Sequence, residues 1–298
     1  MKFRPVRTSA SGRGYTTIQN RRTQMKQLIQ HVWHEFINAK DTMSTHLVND
    51  SIPIIWFGDL NKYSESDKKI VTVSLNPSNI EFEDKKGNKI NRFPNASAIK
   101  GLNFLSPKDI STYETAMNNY FNLRPYTNWF KNPEYALHAL DASYGGKMTN
   151  TQDAYHNTAI HIDIKCPLAT DPTWSKLPKE IAIYLDKQFK GIGYFDNLLN
   201  ILEPDIILVS TNRAYIADNF RNAAGVPYSS KNGTTIKIDH TCRNGKVCQR
   251  GFCGWKLPKG VLIAVPASPQ PWWNPGQGKE VAFFTKGFNM LRNSGLTL

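Results

Sequence analysis

The sequence predicts an α/β protein, a three-layer α/β/α sandwich around a mainly parallel central sheet. Apolar runs with strand character alternate with stretches of helical periodicity, which is typical of parallel strands joined by crossover helices. Two of these runs, 205–209 (DIILV) and 261–265 (VLIAV), are apolar apart from Asp205, as expected of strands buried on both faces. The chain has 298 residues, enough for one such domain.

The individual elements follow from periodicity and from turn and cap residues. Apolar side chains recur at helical spacing over 24–38, and Ser106 followed by Pro107 is a helix-start signal. Further helices are predicted at 133–140, 175–188, 194–202, 212–223 and 280–291. Strands are predicted at 52–57, 70–75, 158–164, 205–209 and 261–265, with an irregular hairpin at 234–240 and 247–257.

The domain organisation is predicted to be simple. Residues 1–22 are basic and lack hydrophobic periodicity, so we expect a flexible arm. Residues 23–298 then form a single domain, with insertions at about 79–98 and 226–258. The sequence shows no internal repeat, and we expect a monomer.

The charge balance indicates a polyanionic partner. Lys and Arg number 37 against 24 Asp and Glu, giving a net charge of +13 and a pI of about 9.5. A pI above 9 favours nucleic acid, although charge also serves solubility. No apolar run approaches the roughly 18 residues of a membrane span, and the basic N-terminus is not followed by a secretory apolar stretch. We therefore expect a cytoplasmic protein with no membrane partner.

Short polar motifs follow three of the predicted strands. They are Ser74-Leu75-Asn76-Pro77-Ser78, the segment 161–168 (HIDIKCPL) and the segment 266–271 (PASPQP). Because ligand sites of open α/β sheets lie beyond the carboxyl ends of strands, these motifs are the candidate site.

Together the three motifs resemble those of the uracil-DNA glycosylase superfamily, most closely its single-strand-selective monofunctional and mismatch-specific branches. The resemblance covers about residues 70–290 in order, but only the short motifs match. It implies a uracil-DNA glycosylase-like fold and an enzyme that flips a base out of DNA and hydrolyses its bond to deoxyribose. No nucleotide cofactor is implied.

In the first motif the resemblance makes Asn76 the residue that holds the attacking water, with Leu75 and Pro77 in the base pocket. An Asn-Pro turn at a strand end is the structural alternative. The family's uracil-specific branch has a Tyr where this chain has Ser78, so a base larger than uracil is expected to fit.

The second motif departs from the family. Pro266 stands where the family has a His that stabilises the leaving base, and Ser268 is the nearest side chain that could compensate. The residues that follow are candidates for a wedge that enters the duplex, with packing of both tryptophans against the last helix as the alternative. These candidates are Ser268, Pro269, Gln270, Trp272 and Trp273.

Other pocket residues are assigned by position. The family stacks an aromatic side chain on the flipped base, and Phe93 and Phe82 are the candidates, with a core position as the alternative. Asp163 lies where the family binds the Watson–Crick edge of the base, and its carboxylate would accept from an exocyclic amine. His161 points the same way on the predicted strand and is a secondary candidate.

A cluster near the C-terminus could hold a structural zinc ion, although its spacing is not a standard zinc pattern. The alternative is a plain hairpin with reduced cysteines. The cluster consists of His240, Cys242, Cys248 and Cys253.

The sequence thus predicts a monofunctional DNA glycosylase, since no Lys is placed to act as a Schiff-base nucleophile. Ser78, Pro266 and the insertion after Asn76 favour a bulky modified pyrimidine. The chain looks like the antiphage members of the superfamily that attack glucosylated hydroxymethylcytosine in phage DNA. Repair of uracil or damaged pyrimidines, and a non-catalytic DNA-binding or sensor protein on the same fold, are the alternatives.

Overall fold

A six-stranded, mostly parallel sheet forms the centre of the protein in the computed structural model. The structure describes residues 11–49, 51–84, 86–149, 155–222, 224–241, 246–266, 273, 275, 276 and 278–298, with 11–18 as backbone only. The strand order is β4-β1-β5-β8-β7-β6, in which β4, β1, β5 and β8 are parallel and β7 and β6 are antiparallel. The strands are β1 Ile70–Ser74, β2 Ala142–Ser143, β3 Asn157–Thr158, β4 Ile160–Asp163, β5 Ile206–Val209, β6 Thr234–Thr241, β7 Val247–Lys256 and β8 Val261–Ala264.

Helices flank this sheet in two packed groups. One consists of α1, α6 and α7, and the other includes α5 and α9, with α9 packed on β6. The helices are α1 Ser11–Met43, α2 Leu60–Glu65, α3 Pro107–Asn118, α4 Tyr120–Leu123, α5 Thr127–His138, α6 Lys179–Gly191, α7 Tyr194–Leu202, α8 Arg213–Asn219 and α9 Glu280–Asn293. Of the helices described, none is both long and apolar enough to cross a membrane.

The predicted mixed α/β class with a mainly parallel sheet is confirmed. The two apolar runs form β5 and β8, which are buried because sheet neighbours and helices cover them. Ser106 caps α3 through a capping box with Asp109, in which each side chain bonds the other residue's backbone N–H.

Two predictions for the first part of the chain are wrong. Residues 11–22 belong to helix α1 and not to a flexible arm, while residues 1–10 lie outside the described residues. The run 52–57 is buried but is not a strand. Of this run only Phe57 pairs with a strand, exchanging backbone hydrogen bonds with His161 of β4, whereas Ile54 N–H donates to Pro167 O and Ile55 N–H to the Tyr113 hydroxyl.

The insertion at 79–98 is more ordered than a simple loop. It contains two 3-10 turns, Asn79–Phe82 and Pro94–Ala96. Arg92 is buried and joins the insertion to the chain before α5, donating to Arg124 O and Pro125 O at 3.1 Å each. The insertion is thus anchored to the chain before α5.

Candidate functional site

The carboxyl ends of β4, β1, β5 and β8 meet at one edge of the sheet, because these strands are parallel and adjacent. Ser74 at the end of β1 is in register with Asp163 at the end of β4. Asn76 follows β1 by two residues, and Pro266 follows β8 by two. The first two motifs and Pro266, the one described residue of the third, therefore lie along the same edge.

The side-chain nitrogen of Asn76 is held by three acceptors. Nδ2 donates to Pro77 O at 2.6 Å, to Thr170 Oγ1 at 3.0 Å and to Leu168 O at 3.4 Å. Two of these are main-chain carbonyls, which can only accept, so the orientation of the amide is fixed. Oδ1 accepts no hydrogen bond from the described residues. Because Asn76 is half-buried, this oxygen remains available as a hydrogen-bond acceptor.

Thr170 organises the loop around Asn76. It is fully buried, its N–H donates to Pro77 O at 3.2 Å, and its carbonyl accepts from Asn79 N–H at 2.9 Å. Its backbone also pairs with Leu47, just after α1. One residue therefore supports Asn76 by side chain and by backbone. The sequence analysis did not identify it, since a Thr after Cys-Pro-Leu carries no distinctive signal.

A buried chain of polar side chains leads to Asp163. The Tyr144 hydroxyl contacts Thr72 Oγ1, which lies 2.8 Å from His161 Nδ1, and His161 Nε2 lies 3.5 Å from Asp163 Oδ1. The prediction that His161 and Asp163 point the same way is confirmed by this contact. The His161 ring is packed edge-on against Trp129 and Phe130, at 4.8 and 5.3 Å between ring centroids.

Glu81 is a second acid at this edge, and the sequence analysis missed it. Burial, reinforced by the negative charge of Asp163 and partly offset by Arg92, raises the pKa of Glu81 to about 8. Glu81 in turn contributes to raising the pKa values of Tyr120 and Tyr126, after their own burial. Nothing in the sequence marked it, because a Glu in a polar loop ordinarily faces water.

Three polar side-chain atoms in this segment are buried without a hydrogen-bond partner among the described residues. They are Ser74 Oγ, Asn79 Oδ1 and Glu81 Oε2. Buried polar groups are rarely left unpaired, and each such group costs about 1–3 kcal/mol. Their concentration within eight residues of the Asn76 motif indicates groups that are positioned for a ligand or water.

The remaining predicted pocket residues are placed differently. Leu75 and Ser78 are half-buried and Pro77 is buried beside Asn76. Phe82 and Phe93 are each about 2 % exposed, and Phe93 packs between Phe82 and Tyr120. Both rings are therefore core residues in this structure, which is the alternative to base stacking.

The second motif is described only in part. Ser268, Pro269, Gln270 and Trp272 lie outside the described residues. Pro266 is buried, and its carbonyl accepts from Trp273 N–H at 3.1 Å. The Trp273 indole packs on His240, Arg250 and Phe283. It therefore packs near the last helix, which is the alternative to the predicted wedge.

Two of the predicted zinc ligands, Cys248 and Cys253, are not brought together. Cys248 is disulfide-bonded, whereas Cys253 is free and buried. The two are five residues apart on β7 and so face opposite sides of the hairpin, and His240 is opposite Cys248. Cys248 and Cys253 thus cannot bind the same ion, and Cys242 lies outside the described residues. The alternative of fully reduced cysteines is also wrong.

No set of three or more potential metal ligands occurs in the part of the chain that the structure describes. In comparisons with known proteins, no family model, curated protein or solved structure matches the chain. The site must therefore be interpreted from its own geometry.

Proposed function

We propose that the protein is a monofunctional DNA glycosylase that flips a modified pyrimidine out of DNA and hydrolyses its N-glycosidic bond. The observation that carries this proposal is the anchored amide of Asn76, at the strand edge that also holds Asp163. Its nitrogen is occupied by three acceptors, so its carbonyl oxygen can accept a hydrogen bond from a water molecule.

The proposed role of Asn76 is to position the water molecule that attacks the sugar. The C1′–N1 bond breaks with its electron pair passing to the base, and the sugar becomes oxocarbenium-like, as in glycoside hydrolysis. Water adds to C1′ as hydroxyl, and the proton it loses is finally carried by the released base. An amide is not a competent base, but holding water at the reacting carbon is worth a large rate factor.

The fuller proposal is a uracil-DNA glycosylase-like sandwich that acts as a monomer in the cytoplasm on phage DNA containing glucosylated hydroxymethylcytosine. The small, half-buried Ser78 beside Asn76 supports a bulky substituent, and the charge of +13 supports a DNA partner. Excision of uracil or a damaged pyrimidine is the alternative within the same chemistry.

A non-catalytic DNA-binding or sensor protein is the second candidate. Pro266 favours it, because a proline side chain offers no hydrogen-bond donor to a leaving base. The two candidates differ in whether any base leaves DNA.

The test is base release from a panel of DNAs containing uracil, hydroxymethyluracil, mismatched thymine, hydroxymethylcytosine and its glucosylated form. Wild type, Asn76→Ala and the control Asn61→Ala would be compared, with abasic sites detected by alkali cleavage. Asn61 is exposed on α2, at the opposite edge of the sheet. We expect release from one substrate by wild type and Asn61→Ala only. Binding without release from any DNA would favour the non-catalytic candidate.

A further inference from the structure

The β6–β7 hairpin projects past the sheet edge at which the candidate site lies. β8 pairs with β7 only as far as Ala264 with Cys253, whereas β6 and β7 continue to pair beyond this point. The part that β8 does not reach consists of six residues of each strand, 236–241 and 247–252, and is called the hairpin arm below. At about 3.4 Å per residue, the arm extends about 20 Å past the end of β8. Because β8 is parallel to β5 and β1, the arm extends from the carboxyl edge of the sheet.

The hairpin that forms the arm is basic. Residues 234–256 include five Lys and Arg side chains and a single acid, Asp239. Asp239 is exposed and accepts from Gln249 Nε2 at 2.9 Å. Gln249 and Arg250 are neighbours on a strand and therefore face opposite sides, so Asp239 does not share a face with Arg250. The face that carries Arg250 has no acid from the hairpin to balance it.

Two side chains on that face carry nitrogen atoms without a partner. Arg250 Nε and both ring nitrogens of His240 are buried and make no hydrogen bond with the described residues. Arg250 is opposite Ile238, and His240 follows Ile238 by two residues, so both side chains are on one face. Both lie against the Trp273 indole, with the guanidinium carbon 4.9 Å and the imidazole centroid 4.5 Å from the ring centroid. Neither residue forms an ion pair in the described part of the chain.

We propose that the hairpin arm binds DNA, and that Arg250 and His240 bind a phosphate of its backbone. This inference rests on the DNA partner of the proposed function, but it does not require that any base is excised. Buried donors are rarely left unpaired, and phosphate oxygens supply the acceptors that these donors lack. The planar guanidinium also matches the geometry of a phosphate.

The place of the arm in the fold fits a duplex that lies along the carboxyl edge. From β1, which leads to Asn76, to β6 there are four strand spacings, or about 19 Å. At about 3.4 Å per base pair, this distance corresponds to about five base pairs. Trp273 N–H donates to Pro266 O at 3.1 Å, which joins the indole under Arg250 to the carboxyl end of β8. A duplex centred on Asn76 would therefore meet the arm on one flank of the flipped base.

The first experiment measures the dissociation constant of the full chain for a short DNA duplex over a series of salt concentrations. Arg250→Gln should raise this constant about tenfold at low salt, as for the loss of a charge-assisted hydrogen bond. It should also reduce the slope of log K against log salt by about 0.9, the value for one phosphate contact. Arg250→Lys keeps the charge and should keep the slope of wild type.

Two further variants separate a local contact from general electrostatics. His240→Phe keeps a ring on Trp273 but removes both nitrogens, and should weaken binding about threefold to tenfold. Arg221→Gln is the matched control, because it removes the same charge from an exposed residue. Arg221 lines a cavity with Glu203 and Lys259, near the amino end of β5 and away from the carboxyl edge. It should leave both the affinity and the slope unchanged.

A second measurement needs only the wild-type fold. The NMR resonance of the Arg250 Nε–H group, assigned by its loss in Arg250→Lys, should shift when the duplex is added and exchange more slowly with water. An unchanged resonance at saturating DNA would show that this donor does not bind phosphate. This readout holds even where Arg250→Gln proves too unstable to compare.

The outcomes separate this inference from the proposed function. If DNA binds but Arg250→Gln and Arg221→Gln behave alike and the Arg250 resonance does not move, the arm is not a phosphate site, and base release can still establish the glycosylase. If Arg250 responds as expected but no DNA loses a base, the glycosylase proposal fails and the DNA-binding arm stands. A wild type that binds no DNA overturns both.

Discussion

Replacing Glu81 by Gln should stabilise the protein at neutral and alkaline pH, independently of any activity. Burial and the negative charge of Asp163 raise the pKa of the Glu81 carboxyl, whose Oε2 is buried and unpaired within the described residues, from 4.5 to about 8. The folded protein therefore holds this proton more tightly than the unfolded chain does. Stability from this group is complete below pH 4.5 and is lost progressively as the pH rises to about 8.

The magnitude follows from the width of that window. A rise from 4.5 to about 8 spans three and a half pH units, and at 1.36 kcal/mol per unit the wild type loses at most about 5 kcal/mol across it. Relaxation and water penetration around a buried carboxylate reduce this figure. Gln has no such titration, so the advantage of Glu81→Gln over wild type should grow by several kcal/mol between the two ends.

The free energies of unfolding would be measured by urea denaturation of wild type, Glu81→Gln and Glu83→Gln, just above pH 4.5 and just above pH 8. The free energy of unfolding of Glu83→Gln should follow that of wild type at both pH values. The Glu83 side chain is about 31 % exposed and pairs with Lys89, and such an ion pair near the surface contributes little to stability. An equal difference between wild type and Glu81→Gln at both pH values would show that Glu81 ionises normally and would refute its placement in a buried acid pair.

Three further predictions concern the site. Thr170→Val should lower kcat about tenfold with little change in KM, because one hydrogen bond that orients Asn76 is lost, while Thr170→Ser retains activity; equal rates for the two variants would contradict a positioning role. Ser78→Tyr should abolish release of a glucosylated base but spare an unsubstituted one, as judged by the DNA panel. The dissociation constant for DNA should rise steeply with salt, equally for wild type and Asn76→Ala, and a flat salt profile would exclude a backbone-dominated interface.

The elements that could be predicted from the sequence are those with a clear apolar run or a helix-capping signal. The apolar runs of β1, β5 and β8 and the capping signal at Ser106 specify their elements locally. The run 52–57 was predicted as a strand because an apolar segment looks the same whether its backbone joins a full ladder or, as here, makes one bridge to β4 and otherwise bonds to a loop and a tyrosine hydroxyl. Helix α1 begins at Ser11, in a stretch whose sequence lacks the apolar periodicity from which a helix could be predicted.

The candidate site was predictable only where it coincides with strand ends. Asn76 and Asp163 were identified because parallel strands bring their carboxyl ends to one edge. Glu81 and Thr170 were not, since their importance comes from burial and from contacts with distant segments. For Trp273 the sequence left a wedge and packing against the last helix both open, because a Trp beside a loop motif carries no information about which partner covers it. In the structure its partners are on β6, β7 and α9.

Thr170 connects the end of the N-terminal helix to the candidate site, because it contacts both the chain that follows this helix and the side chain of Asn76. On one side Thr170 pairs with Leu47, in the chain leaving α1, and the neighbouring Ala169 O accepts from Val48 N–H at 2.9 Å. On the other side it holds the amide of Asn76. A disturbance that frees the end of α1 would thus be transmitted through a single residue to the amide of Asn76, for which we propose a water-holding role. Truncations in this region should reduce turnover before they reduce affinity for DNA.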